Sequence, residues 1–99
     1  MLVLVATLTV RREARSAYRQ YEAAAVRIMS PHGGRIERVI ELDGEESAET
    51  FREVHIVTFP DAAAFDAYRA DPEITALAAL RKSAIVSTEI LRGRNIAVQ

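Results

Sequence analysis

The chain contains no cysteine and no tryptophan, and only 4 glycines and 3 prolines among its 99 residues. Without cysteine there is no disulfide framework, no thiolate nucleophile and no cysteine-ligated metal site. That fits a reducing compartment. Aromatic residues make up 6% of the chain while 49% is hydrophobic, so the core must be mostly aliphatic and disorder is not expected. An excess of charge of either sign is also missing. Thirteen Lys and Arg face 14 Asp and Glu, for a net charge of −1. A general nucleic-acid binder would carry a basic excess, so that class is set aside. No apolar run approaches the ~20 residues a membrane span requires. The longest, residues 2–10, has no basic segment before it and Arg11-Arg12 after it, so a secretory leader is not expected. A cytoplasmic location is the expectation, and the length allows one domain, residues 1–99.

What is present reads as six elements. Residues 2–10 are rich in β-branched side chains and continuously apolar, which predicts a central strand buried on both sides. The period then changes. Ala14, Tyr18, Tyr21, Ala25 and Ile28 form one helical stripe, with Arg15, Arg19, Glu22 and Arg27 mostly off it. Ser30-Pro31 should end that helix, with Gly33 or Gly34 taking a positive φ. Ile36, Ile40 and Leu42 alternate imperfectly with Glu37, Arg38 and Glu41, as an edge strand would, and residues 43–47 read as a charged turn. Residues 53–59 form a second central strand, ended by Pro60. Asp61 should cap the next helix, whose face carries Phe65 and Tyr68. Asp71-Pro72-Glu73 restarts it, with Ile74, Leu77, Ala78 and Arg81 on one face. Residues 84–91 form the last strand, and Gly93 closes it.

The order β-α-β-β-α-β predicts an α+β, ferredoxin-like fold with a four-stranded antiparallel sheet and both helices on one face. The first and third strands are apolar on both sides, so the other face would be an exposed apolar patch. A homodimer joined through its sheet faces removes it.

Taken together, several segments resemble the domain-of-unknown-function family 1330, within the dimeric α/β-barrel superfamily. They are Ala17-Tyr18, Tyr21, His32-Gly33-Gly34-Arg35, Arg52, Phe59-Pro60-Asp61, Tyr68, Asp71-Pro72-Glu73, Leu80-Arg81 and Gly93. That superfamily also contains antibiotic-biosynthesis monooxygenases. The resemblance implies the fold and the dimer, and brings no established reaction. Two positions depart from the pattern: Ala67 stands where Trp is common, and Ile74 where Tyr is common. If those aromatics line the family's pocket, this pocket is larger or differently shaped.

The candidate site residues follow from residue type and position. His55 interrupts an apolar strand; if Val54 and Ile56 share one face, it shares the other with Val57 and Phe59. A buried neutral imidazole there could serve as a general base, or hydrogen-bond within the core or across a dimer. Tyr18 and Tyr68 could present phenols to a cavity as catalytic partners, or simply pack as core. His32 beside Gly33-Gly34 could meet an anion, or cap a helix C-terminus. Arg35 and Arg52 could clamp a carboxylate, and Arg81 could reach a bound anion; surface ion pairs explain all three equally well. No metal is expected, because His32 and His55 have no HxxxH or HxxE spacing. Haem-handling relatives of this barrel leave iron ligation by either histidine as a minor alternative. No phosphate loop is present, since Gly33-Gly34 precedes a strand, and no serine lies in a nucleophile elbow. Two functions remain. One is a cofactor-independent enzyme or binder for a small hydrophobic or carboxylate-bearing ligand, performing oxygenation or isomerisation. The other is a non-catalytic dimerisation or ligand-sensing module.

Overall fold

The computed structural model describes residues 1–44 and 49–98. The elements run β1 Leu2–Arg11, α1 Arg15–Met29, β2 Arg35–Glu41, β3 Thr50–Phe59, α2 Ala62–Arg69, α3 Pro72–Thr75, α4 Ala78–Ala84 and β4 Ile85–Gly93, with short 3-10 turns before and after α1. The four strands form one antiparallel sheet in the order β2-β3-β1-β4. This is the α+β ferredoxin-like arrangement. The two strands expected to be central are central, and their β-branched runs pair along their full length, from Leu2 opposite Phe59 to Arg11 opposite Thr50.

Three details differ from the sequence-based reading. The imperfect alternation of β2 comes from a bulge between Ile36 and Arg38, which shifts its register against β3. The helix restarted by Asp71 is two helices: Leu77 donates to the Ile74 carbonyl at 3.1 Å, a tightened turn that ends α3 before α4 begins. The last strand runs two residues further, to Gly93. Of the charged turn expected over residues 43–47, residues 45–47 lie outside the described residues. Asp61 and Asp71 both cap as expected, accepting from Ala64 N–H at 2.8 Å and Glu73 N–H at 2.9 Å.

Both helical segments pack on one face of the sheet, and that face carries two separate apolar clusters. One joins Leu4, Val57 and Phe59 to Ile28, Met29, Phe65 and Tyr68. The other joins Leu8, Val10 and Phe51 to Tyr18, Ala84 and Ile85. Between them the sheet offers the small Ala6, with His55 directly opposite on β3 and Ile90 on β4. The middle of the core is therefore where space and polarity are found.

Gly33 follows the 3-10 turn after α1 with φ of 76°, the only positive φ among the described residues. Gly34 next to it donates to the Met29 carbonyl at 3.1 Å and lies buried against Met29 and Phe59. The first glycine is required by its backbone angle, the second by close approach.

The opposite sheet face presents Val3, Val5, Val54 and Ile56 at its centre. Ile40 and Leu91, 39% and 69% exposed, flank them on the edge strands. No helix among the described residues is long and apolar enough to cross a membrane.

Candidate functional site

Strand alternation puts Phe51, Glu53, His55, Val57 and Phe59 on the helix side of β3. Glu53 and His55 thereby enter the core, only 1% and 6% exposed. Tyr18, on the inward stripe of α1, reaches down to meet them. Its hydroxyl donates to Glu53 Oε1 at 2.6 Å and lies 3.0 Å from His55 Nε2, which is itself 2.9 Å from the same carboxylate oxygen. Arg19, the next residue of α1, donates to Glu53 Oε2 at 2.8 Å. One turn on from Tyr18 comes Glu22, whose Oε2 lies 3.3 Å from the Tyr18 hydroxyl and 3.4 Å from His55 Nε2.

The electrostatics of this cluster are set by Glu53. Burial pushes its carboxyl upward, but hydrogen bonds from Tyr18, His55 and Arg19 outweigh that and hold it below its ordinary value. It is an ionised acceptor in the core. Burial drives the Tyr18 phenol well above its ordinary value, reinforced by the Glu53 hydrogen bond and the Glu22 charge, so it stays a donor. Because an ionised carboxylate only accepts, the His55 nitrogen facing it carries the proton. In the neutral ring the lone pair then sits on Nδ1. Every buried polar side-chain atom among the described residues has a partner.

Glu22, Glu53 and His55 also bring one ligand atom each within 4.8 Å of one another. Sequence spacing gave no sign of this set. Tyr18 and Arg19 donate to its carboxylates.

Beside the cluster lies a cavity of about 490 Å³ between the helices and the sheet. It arises because Ala6, Ala25 and Ala78 leave room between the two apolar clusters. Its size is that of a small-molecule site, and its walls are mainly apolar, with Tyr18, Glu22 and His55 at one part of the lining.

The structure gathers some of the expected residues and separates others. His55, Tyr18, Tyr68 and Arg81 all line the cavity. His32 does not: its Nε2 meets Asp71 Oδ2 at 2.8 Å, tying the end of α1 to the cap of α3. That bond, with the Glu73 amide, holds the Asp71 carboxyl below its ordinary value. Arg35 and Arg52 do not form a clamp. Both lie on the opposite sheet face, paired with Thr58 and Thr9 respectively, roughly 20 Å apart along β3 at the rise of an antiparallel strand. Ile74 lines the cavity, so its replacement of the family's Tyr bears on cavity shape, whereas Ala67 is exposed on α2 and does not. Sequence reading missed Glu22 and Glu53. The signal existed, since Glu22 is four residues from Tyr18 on a helix and Glu53 two from His55 on a strand.

Fold and site together define a class: small ferredoxin-like α+β domains with a cavity between helices and sheet. Within it, the chain belongs to the family described as domain of unknown function (DUF1330), which it matches over residues 3–93. Solved structures of other proteins share the fold at low identity. A NIPSNAP domain protein from Burkholderia xenovorans superposes with a TM-score of 0.72 at 18% identity, covering 98% of this chain and 96% of the other. SnoaB, a cofactor-independent oxygenase from Streptomyces nogalater, gives 0.67 at 13%, covering 98% and 95%. An antibiotic biosynthesis monooxygenase gives 0.67 at 16%, covering 98% and 100%. No curated protein matches the sequence.

Proposed function

We propose that this protein is a cofactor-independent enzyme that moves a proton on a small, mainly apolar substrate held in the cavity. The observation that carries this reading is the position of Tyr18, Glu22 and His55, backed by Glu53, at the wall of a mainly apolar space. Its likeness in fold to a cofactor-independent oxygenase supports the same direction.

The chemistry follows from the hydrogen bonds. Glu53 fixes the His55 tautomer with a proton on Nε2, leaving Nδ1 as the base. An imidazolium formed by proton uptake is balanced by the buried Glu53 carboxylate, the same support a histidine base receives in a hydrolytic triad. Glu22, half-buried at the cavity wall, is the second acid–base group. A carbon acid next to a carbonyl would lose its proton to His55 and leave an enolate. Return of that proton at a different carbon is an isomerisation. Where dioxygen enters as oxidant, the same enolate is the electron donor for oxygenation.

The test is hydrogen–deuterium exchange at carbon, followed by proton NMR in D2O, over a panel of cyclic and aromatic ketones that includes 2-tetralone. The protein should accelerate exchange in at least one of them, and His55→Gln should reduce the acceleration by about 100-fold. Exchange at the buffer rate across the panel would overturn the reading.

The open sheet face supports a homodimer as the working unit. Val5, Val54, Ile56, Ile40 and Leu91 form a patch of the kind soluble monomers rarely leave exposed. Sedimentation equilibrium at micromolar concentration should return twice the 11.0 kDa of the chain. A mass of one chain would show that this face stays open.

A further inference from the structure

Arg81 and Tyr68 line the cavity with hydrogen-bonding capacity that the described residues leave partly unused. The Arg81 Nη2 donates to Thr88 Oγ1 at 2.6 Å, which orients the guanidinium. Among the described residues no carboxylate lies within 4.0 Å of it. The other arginine of the lining, Arg69, differs, being held by Asp66 at 3.3 Å. Tyr68 is 9% exposed, its ring 5.5 Å from that of Phe59, yet its hydroxyl has no hydrogen-bond partner among the described residues. Because no fully buried polar side-chain atom there lacks a partner, that hydroxyl is not sealed in the core, and Tyr68 lines the cavity. Arg81 and Tyr68 thus bring a guanidinium and a phenol to the lining of the same cavity.

The cavity is polarised. On one side sits the Glu22 carboxylate, which repels an anion, with Glu53 behind it. On the other sits the Arg81 guanidinium, with no counter-ion among the described residues. Thr88 pairs with Leu8 and His55 pairs with Ala6, so the two ends are two strands and two residues apart, about 12 Å between α-carbons at ordinary sheet spacings.

We infer that the substrate is a monocarboxylate with an apolar body of aryl size, its carboxylate docked on Arg81 and Tyr68 and its reacting carbon turned toward His55. This rests on the proton-transfer reading and adds the substrate's charge and orientation. The fork of Arg81 suits a carboxylate, which it can meet with two parallel N–H groups.

The experiment compares 2-naphthoate with its neutral isostere 2-acetylnaphthalene, titrated into the wild-type protein by NMR at neutral pH. The acid should bind about tenfold tighter than the ketone, the worth of one charge-assisted hydrogen bond in a partly buried site. Arg81→Gln should remove that advantage while leaving ketone binding within about twofold. Tyr68→Phe, which keeps the ring in its cluster, should reduce acid binding about threefold and leave the ketone alone. Equal binding of acid and ketone to the wild type would overturn the inference and leave the cavity reading intact. So would an Arg81→Gln variant that folds and weakens both ligands alike. Failure of both compounds to bind the wild type would count against the cavity reading itself, and the inference would fall with it.

Discussion

Replacing Glu53 by Ala is expected to lower the free energy of unfolding by about 3–5 kcal/mol, the usual effect of removing one partner from a buried ion pair. Glu53 accepts from Tyr18, His55 and Arg19 at 2.6, 2.9 and 2.8 Å, and all three donors lose their acceptor together. Arg19 can turn to water, since it is partly exposed; Tyr18 and His55 cannot. For a domain of this size that is a large share of total stability. The milder Glu53→Gln variant separates charge from shape and gives the effect a pH signature. The folded-state pKa of Glu53 is held below its unfolded value, so its charge stabilises the fold above the unfolded carboxylate value of ~4.3. That contribution is lost as pH falls through the folded value. Urea midpoints of wild type and Glu53→Gln should therefore differ most near neutrality and converge in acid. A constant gap from pH 7 down to pH 3 would mean that Glu53 is not charged in the fold.

The second large effect is expected at Gly34. A β-carbon placed there would sit 2.5 and 2.6 Å from Phe59 Cε1 and Cζ and would overlap Met29 Cγ. Phe59 is 1% exposed and Met29 6%, both within one apolar cluster, so neither can step aside without disturbing the close-packed core. Gly34→Ala should cost about 3 kcal/mol by overpacking. Gly33→Ala, at φ of 76° with Pro60 Cγ 2.7 Å from the new carbon, should cost about 1–2 kcal/mol. Urea denaturation of the two variants checks the order. A Gly34→Ala protein as stable as wild type would mean that the turn does not pack on Phe59.

The fold was legible because its signals are local and mutually consistent. The β-branched runs over residues 2–10 and 53–59, the Tyr18–Tyr21–Ala25–Ile28 stripe and the two Asp caps each specify one element, and together they leave one topology. Where the reading slipped, the cause lay in geometry that sequence does not carry. The β2 bulge is a pairing property of two strands, and the break between α3 and α4 is a turn tightened by one backbone bond. The site was half legible. His55, Tyr18, Tyr68 and Arg81 stand out as polar groups in apolar stretches. Glu53 and Glu22 looked like surface charges, because a Glu at a strand start or on a helix is usually solvated. Only the pairing of β3 with β1, and the seating of α1 above it, reveals that the two carboxylates and His55 meet. Arg35 and Arg52 failed for the opposite reason: residue type suggested a clamp, but strand parity sends both to the other face.

The central claim is that the cavity holds a small molecule with its reacting carbon at the Tyr18–Glu22–Glu53–His55 cluster. The measurement that tests it most directly is isotope-filtered NMR on the uniformly labelled protein with the ketone that exchanges fastest. Intermolecular NOEs are expected to the Ala6 methyl and the His55 ring, on the helix side of β1 and β3, and to Ile90 on the same side of β4. NOEs confined to Val5, Ile56 and Leu91, on the open face of the sheet, would contradict the claim, because they would place the ligand where the dimer is expected and leave the cavity empty.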